Sequence, residues 1–262
     1  MRQKELYMSS PIIKISDIDP TFDFTSDTPH FWDNYWSGDS ILGHAFADPD
    51  SESKTMQLYH QFLYSRVLPN GERMDLTAGG KAEYLSWRDM CFGSDSIIVS
   101  FRYKKYRNML VQFIDSVEEW QTFIEKYVKA SYTLGGEIIF PKRRGGINQS
   151  RGCNPKICDR WDLTLECIRK YYSNEESPLT SVLTEDKAFF DLFVDFKGYV
   201  DYFFLQDCVT DDCKSVNFWL ENDNFKDYPF PKSEEEYYLW IKRELEFVKK
   251  RNTRIEKFCK TT

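Results

Sequence analysis

The chain has 262 residues and a formal net charge of −7, and its aromatic residues are spread along most of the sequence. This length can bury a large core without disulfides or metal ions, and the aromatic content argues against long disorder. The acidic balance disfavours a general nucleic-acid-binding surface. No apolar run approaches the roughly 20 residues of a membrane-spanning helix, and the N-terminus lacks the apolar core of a secretory signal, so we expect a cytoplasmic protein without a membrane segment.

The N-terminal half is predicted to contain an irregular segment followed by short strands. Residues 1–50 are rich in Asp, Ser and Pro, and residues 58–67 fit either a strand or a short helix. Asn70-Gly71, which follows, is a strong hairpin signal. The other predicted features of this half are a short helix at 31–36, a polar turn at 48–53, strands at 73–76, 83–87, 96–103 and 137–140, and a helix at 117–132 capped by Ser116.

The C-terminal half is predicted to be helical. The predicted elements are a helix at 159–173 capped by Asp159, a very apolar helical stretch at 183–207 broken at Gly198, a final strand at 216–220, and a helix at 233–258 that opens with a Ser233/Glu236 capping box. The fold class is therefore α+β, with short antiparallel strands mainly in the N-terminal half. Because no linker divides the chain, we expect one domain over residues 1–262, with an irregular part (1–50), a strand-rich part (51–140) and a helical part (159–258).

The seven cysteines are an odd number without a signal peptide, which argues against a disulfide framework. Cys153 and Cys158 have four intervening residues, and so do Cys208 and Cys213. Zinc sites more often have two to four residues between paired ligands, so a four-cysteine zinc site is one interpretation. The alternative is that these cysteines are small apolar side chains buried in the core. No metal or cofactor is assigned.

Residues 138–158 form a segment, here called the basic loop, that has five cationic residues and no acid. Its glycines allow backbone N–H groups to approach an oxyanion, and its arginines offer a planar fork that fits phosphate. The helix that follows directs its N-terminus towards the loop. These features predict an anion site formed by Lys142, Arg143, Arg144, Asn148, Arg151 and Arg160. The alternative is a surface loop whose arginines pair with the acidic remainder of the chain.

Two further sets of residues are candidates for chemistry. Asp162 and Glu166 lie on one stripe of the predicted helix at 159–173, beside the basic loop. They could act as general base or metal ligands next to a bound anion, or they could clamp Arg151 or Arg160 in a structural role. His60 is an acid–base candidate, with a satisfied core histidine as the alternative.

Several runs of residues resemble an uncharacterised bacterial protein family, a domain of unknown function. The resemblance covers about residues 45–258 and departs from the family pattern at Tyr64 and Arg66, where Trp and Lys are expected. It implies a bacterial, single-domain, soluble protein and supplies no catalytic residue. The runs that carry it are Tyr59-His60, Leu63-Tyr64-Ser65-Arg66, Leu68-Pro69-Asn70-Gly71, Ile147-Asn148-Gln149, Arg151-Gly152, Asp159-Arg160, Asp162-Leu163-Thr164-Leu165-Glu166-Cys167-Ile168-Arg169, Tyr171-Tyr172, Ser177-Pro178-Leu179, Phe190, Leu192-Phe193, Asp195-Phe196, Gly198-Tyr199-Val200, Arg251-Asn252 and Arg254-Ile255.

Two functions follow from these patterns. The first is a protein, which could be an enzyme, that binds a phosphate-bearing ligand such as a nucleotide or a nucleic-acid end at the basic loop. The second is a non-enzymatic module that binds a protein partner, in which the basic loop is a structural salt-bridge lock. The sequence alone does not choose between them.

Overall fold

The computed structural model describes residues 14–36, 48–79, 84–98, 117–222, 224–226 and 229–262. Four strands form an antiparallel sheet in the order β1-β2-β3-β4. They are β1 (Thr77–Ala78), β2 (Leu85–Trp87), β3 (Met90–Ser96) and β4 (Glu137–Pro141). In the longest pairing, between β3 and β4, Ser96 lies opposite Glu137. The α+β class is confirmed.

The strands differ in part from the predicted ones. Gly71 has a φ of +87° in the turn at Asn70-Gly71, but the chain around this turn forms only an isolated bridge between Val67 and Arg73 instead of a hairpin. The strand predicted at 73–76 is therefore wrong. The strand predicted at 96–103 is misplaced, because β3 ends at Ser96 and residues 97–98 belong to no strand, while residues 99–103 lie outside the described part of the chain.

In the described part of the chain, three α-helices precede the sheet. They are α1 (Phe31–Trp36), α2 (Pro49–Glu52) and α3 (Lys54–Tyr64). The helix α2 replaces the polar turn predicted at 48–53, because Asp48 accepts a cap hydrogen bond from the Asp50 amide and Pro49 is favourable in the first turn. The helical reading of 58–67 is the correct one.

Two more helices flank β4. The helix α4 (Val117–Ser131) confirms the prediction for 117–132, whereas its predicted cap, Ser116, lies outside the described residues. The basic loop is not wholly irregular, because it contains the helix α5 (Ile147–Cys153).

The C-terminal half is helical, as predicted. It contains α6 (Trp161–Tyr172), α7 (Thr180–Glu185), α8 (Lys187–Phe190), α9 (Phe196–Tyr202) and α10 (Glu234–Thr261). Three details of the prediction are wrong. Asp159 is not the cap of α6, the apolar stretch turns at Val194 while Gly198 lies inside α9, and residues 216–220 supply only a bridge between Val209 and Val216.

Arg251 of α10 connects the two halves in the core. Its guanidinium is fully buried and donates to the carbonyl oxygens of Leu134, Gly135, Glu137 and Phe203 and to the hydroxyl of Tyr64. These five bonds hold the start of β4 against α3 and α10. The position of Glu137 in the interior follows from this arrangement.

No helix in the described ranges is long and apolar enough to cross a membrane. Among the same residues, no three or more His, Cys, Asp or Glu side chains are arranged to hold a metal ion. This statement includes the four cysteines that were considered as zinc ligands, Cys153, Cys158, Cys208 and Cys213.

Candidate functional site

Arg143, in the basic loop, is bound by carboxylates of the neighbouring helix α7 and its end. Its Nε donates to Asp186 Oδ1 at 2.7 Å, and its Nη1 lies 2.7 Å from Glu185 Oε2. A third bond reaches the carbonyl oxygen of Val182. Two acids therefore neutralise this arginine.

Arg151 is enclosed more completely, with about 1% of its surface exposed. Its Nη1 donates to Asp95 Oδ2 at 2.7 Å and to the carbonyl oxygen of Ser96 at 2.8 Å. Its other nitrogens bond to Thr164 and to Asp159, whose carboxylate lies 3.3 Å away. The side chain thus ties α5 to β3 and to the segment before α6.

The two predicted catalytic acids each contact an arginine. Asp162, fully buried, accepts from Arg160 Nε and Nη2 at 3.0 and 2.5 Å and from the Trp219 amide at 2.9 Å. Glu166 accepts two bonds from Arg169, one helical turn away. The contact of Asp162 with Arg160 is the one that the structural alternative expects, and it leaves no free carboxylate oxygen on Asp162, whereas Glu166 binds Arg169 and neither Arg151 nor Arg160.

The remaining predicted ligand residues lie in two places, the surface of the basic loop and the region next to β3. Lys142 and Arg144 are exposed on the loop surface. Asn148 is half-buried and its Nδ2 donates to the carbonyl oxygen of Ser94 at 3.4 Å, while its Oδ1 is enclosed and has no partner among the described residues. Asn148 and Arg151 therefore meet at β3, away from Arg143 and from the Arg160–Asp162 pair.

The same region of β3 holds four acids, here called the carboxyl cluster: Asp48, Asp50, Asp95 and Glu137. None of them is in the predicted site. The carboxyl groups of Asp50 and Glu137 lie close enough that each changes the pKa of the other. The hydroxyls of Ser94 and Ser96 donate to the two oxygens of Glu137 at 3.1 and 2.9 Å, as the alternation of side chains along β3 allows.

Burial and mutual repulsion change the protonation of these acids. Burial, reinforced by the charges of Asp48 and Asp95, raises the pKa of Asp50 to about 7. Burial and Asp50 raise the pKa of Glu137 well above its usual range. Burial also raises the pKa of Asp95 to about 6, although Arg151 opposes the rise. Asp50 and Glu137 therefore hold at least one proton between them at neutral pH.

His60 reaches the cluster through Tyr84. Its Nδ1 lies 2.9 Å from the hydroxyl of Tyr84, and burial together with the charge of Arg251 lowers the pKa of His60 to about 3. The imidazole is therefore neutral. Asp50 and Glu137 both raise the pKa of Tyr84, after burial as the largest cause, so this phenol stays protonated beside the acids.

The site is open on one side. The side chain of Asp95 is about 22% exposed and that of Asp159 about 29%, and Ser94, Ser96 and Asn148 are half-buried. Glu137 and His60 are fully buried.

The sequence contains a weak signal for this cluster. Glu137 opens an apolar strand, and the run Ser94-Asp95-Ser96 places three polar residues at the end of another. An acid inside a buried strand needs partners, but which acids meet is decided by the pairing of β3 with β4 and by the position of α2.

Comparison with known proteins gives a family and no activity. No curated protein and no solved structure has a significant match to the chain. The model of a family of unknown function, DUF6994, matches residues 18–255. Because this match covers most of the 262 residues, the chain belongs to the DUF6994 family.

Proposed function

We propose that this chain is an enzyme that transfers protons to and from a small polar ligand, with Asp50 and Glu137 as its acid–base pair. One observation supports the proposal. The two carboxyl groups act on each other's pKa, Glu137 is fully buried and Asp50 half-buried, and neither forms an ion pair with a lysine or arginine of the described residues. A buried acid in a structural role is usually paired with a cation, as Asp162 is with Arg160.

The arrangement suits general acid–base chemistry. Two carboxyls that share a proton supply a proton donor and a proton acceptor at the same pH, which a single unperturbed acid cannot do. A pKa of Asp50 near 7 matches its proton affinity to neutral conditions. Ser94 and Ser96 fix the orientation of Glu137, so the carboxyl has little freedom to move away from Asp50.

The first test is a direct measurement of the shared proton. Isotope-edited infrared titration should show a protonated carboxyl band that persists at pH 6.5 and is weakened in Asp50→Asn and in Glu137→Gln. Asp211→Asn, an exposed acid, and Glu166→Gln are matched controls that should keep the band. A wild-type protein with no protonated carboxyl above pH 6 would refute the proposal.

The second test is a screen for hydrolysis of chromogenic esters, amides, glycosides and phosphates. We expect an activity whose rate changes near pH 7, is lost by at least a hundredfold in Asp50→Asn and Glu137→Gln, and is retained in Asp211→Asn. An activity that survives in both variants would assign the reaction to another site.

A second candidate is the phosphate-bearing ligand at the basic loop. It is favoured by Arg144, which is exposed, forms no ion pair with the described residues, and precedes Gly145 with a φ of +70°. Thermal shift with a nucleotide panel tests it. A stabilisation that Arg144→Ala abolishes and Lys249→Ala, a control on α10, leaves intact would support it, whereas no shift with any nucleotide would exclude it.

A further inference from the structure

We propose that a cavity beside α10 binds a small organic anion that carries an apolar ring. This cavity, here called the α10 cavity, has a volume of about 270 Å³ and shares no residue with the carboxyl cluster, so the proposal does not depend on the proposed function. The wall residues that decide its ligand are Asp207, Trp219, Arg243, Glu246, Phe247 and Lys250.

The α10 cavity lies between one face of α10 and a segment without regular structure. Arg243, Phe247 and Lys250 follow one another at intervals of four and three positions, which places them on one side of the helix. Residues 217–219, which complete the wall, form neither a helix nor a strand. They lack the regular ridges with which a second helix would fill the grooves of α10. The volume that remains is small for a ligand pocket, so the ligand must be small as well.

The two cations of the cavity wall have no carboxylate partner among the described residues. Nη1 of Arg243 donates to the carbonyl oxygens of Phe218 and Trp219, which orient the guanidinium without neutralising its charge. Lys250 is exposed, and neither it nor Arg243 forms an ion pair in the part of the chain that the structure describes. An ammonium and a guanidinium without counterions are suitable donors for a carboxylate or a phosphate.

The acids of the wall do not cancel this charge. Asp207 accepts hydrogen bonds from Nε and Nη2 of Arg254, so its charge is already paired. Glu246 lies three positions after Arg243 and four before Lys250, yet it forms an ion pair with neither. The wall therefore has two unpaired cations and one unpaired acid. This surplus of one positive charge, in a chain with a net charge of −7, attracts an anion.

An aromatic pair supplies the apolar part of the wall. Trp219 and Phe247 are each about 4% exposed, and their ring centroids lie 6.1 Å apart. Because both rings are fixed by burial, they provide a rigid apolar surface beside the cations. A bare inorganic anion would leave this surface unused, whereas an anion with a ring can contact the surface and the cations together. The ligand class that fits is an aromatic carboxylate or an aromatic phosphate ester.

Proton–nitrogen NMR titration, followed at the indole N–H signal of Trp219, tests the proposal at the cavity itself. The spectrum of Trp219→Phe assigns this signal. The probes are benzoate, indole-3-carboxylate and phenyl phosphate, which separate a carboxylate ligand from a phosphate ligand. Benzylamine, benzyl alcohol and acetate are counter-probes that lack either the anion or the ring. We expect at least one ring-bearing anion to shift the signal and to bind more tightly than every counter-probe.

Two neighbouring lysines provide a matched pair of variants. Lys250→Ala should weaken binding by about tenfold, because it removes one charge-assisted hydrogen bond to the ligand. It breaks no ion pair of the described residues, so the fold should be unaffected. Lys249→Ala removes the same charge one position away, at an exposed residue outside the cavity wall, and should leave the affinity unchanged.

Four results would overturn the proposal. The first is no shift of the Trp219 signal with any ring-bearing anion, and the second is a counter-probe that binds as tightly as the best of these anions. The third is equal weakening in Lys250→Ala and Lys249→Ala, which would indicate a diffuse attraction to the charge of α10. The fourth is binding that Arg144→Ala abolishes and Lys250→Ala leaves intact, which would assign the ligand to the basic loop.

Discussion

Replacement of Asp50 by asparagine should change how the stability of the fold depends on pH. Asp50 has an ordinary pKa of 3.8 and a pKa of about 7 in the folded chain. Between these values the unfolded chain is ionised at this residue and the folded chain holds the proton. The folded state therefore binds more protons, and the contribution of Asp50 to stability falls as the pH rises through this range.

The magnitude follows from the size of the shift. Each pH unit inside the range costs the folded state about 1.4 kcal/mol at this residue, so the loss between pH 5 and pH 7 is on the order of 3 kcal/mol. Below pH 3.8 both states are protonated and above pH 7 both are ionised, so the contribution is flat outside the range. Asparagine does not titrate, and the Asp50→Asn variant lacks this slope.

The stability of the wild-type protein alone would not show the effect, because His60 acts in the opposite direction. Its pKa is lowered from 6.5 to about 3, so stability is lost as the pH falls below 6.5 and His60 must remain neutral. Over part of the range the two contributions cancel. Only the difference between two proteins that share His60 isolates Asp50.

The assay is urea unfolding of the wild-type protein and Asp50→Asn at pH 5, 6, 7 and 8. The free energy of unfolding of the wild type should fall by about 3 kcal/mol relative to that of the variant between pH 5 and pH 7, and by little more at pH 8. Asp211→Asn should run parallel to the wild type. A difference between wild type and Asp50→Asn that stays constant to within about 1 kcal/mol would refute the shared-proton geometry.

Three further substitutions give defined results in the same unfolding assay. Between pH 6.5 and pH 5, the free energy of unfolding of His60→Gln should rise by about 2 kcal/mol relative to that of the wild type, because the variant has no histidine that must stay neutral in the folded state. A difference between the two proteins that does not change with pH would contradict the burial of His60. Asp162→Asn should lower the free energy of unfolding by about 3–5 kcal/mol, because it leaves Arg160 buried without its counterion. Glu166→Gln, which affects the less buried pair with Arg169, should lower it by about 1 kcal/mol or less. Equal losses in the two variants would argue against a structural role for the Arg160–Asp162 ion pair. Val194→Gly should stabilise the protein by about 0.5–1 kcal/mol, since it relieves a φ of +70° at an exposed β-branched residue, and destabilisation would show that the valine side chain has a packing role.

The parts of the fold that the sequence predicts are those with local causes. The helix α10 begins where Ser233 caps the amide of Glu236, and both residues are close in sequence. The ion pair Glu166–Arg169 joins residues three positions apart, so a helical stripe is sufficient to suggest it, and the partners of Arg160–Asp162 are only two positions apart in the sequence. Interactions between residues this close in the sequence can be predicted without knowledge of the fold.

The apolar stretch at 183–207 shows a limit of local pattern. Its composition indicates buried helix and Gly198 is the obvious break, yet the chain turns at Val194, where the Asp195 amide donates to the Phe193 carbonyl oxygen at 2.8 Å. Gly198 is needed inside α9 for a different reason. A Cβ atom there would lie 2.1 Å from the Phe193 carbonyl oxygen and 3.1 Å from Pro69. The approach of Pro69, which is distant in the sequence, cannot be predicted from the residues around Gly198.

The candidate site depends on such distant approaches throughout. Arg151 is separated from Asp95 by 56 positions, and Ser94 from Glu137 by 43. In the sequence, Glu137 is only one polar residue in an apolar strand. In the structure, the register of β3 and β4 places two serine hydroxyls within hydrogen-bonding distance of its carboxyl group. Asp50 is predicted in a turn, and only the helix α2 brings it to the same carboxyl.

The concentration of positive charge in the basic loop does not by itself mark where the protein is positive. Arg143 and Arg151 receive carboxylates from α7, β3 and the segment before α6, so much of the loop's charge is cancelled where it folds. A chain with a net charge of −7 has more acids than cations, and some acids must remain without a cation. Most can stay solvated, but Glu137 is buried and Asp50 half-buried without an ion pair to a cation of the described residues. Burial of such a pair costs stability that a leucine pair would not, which supports the proposal that the two carboxyls serve chemistry.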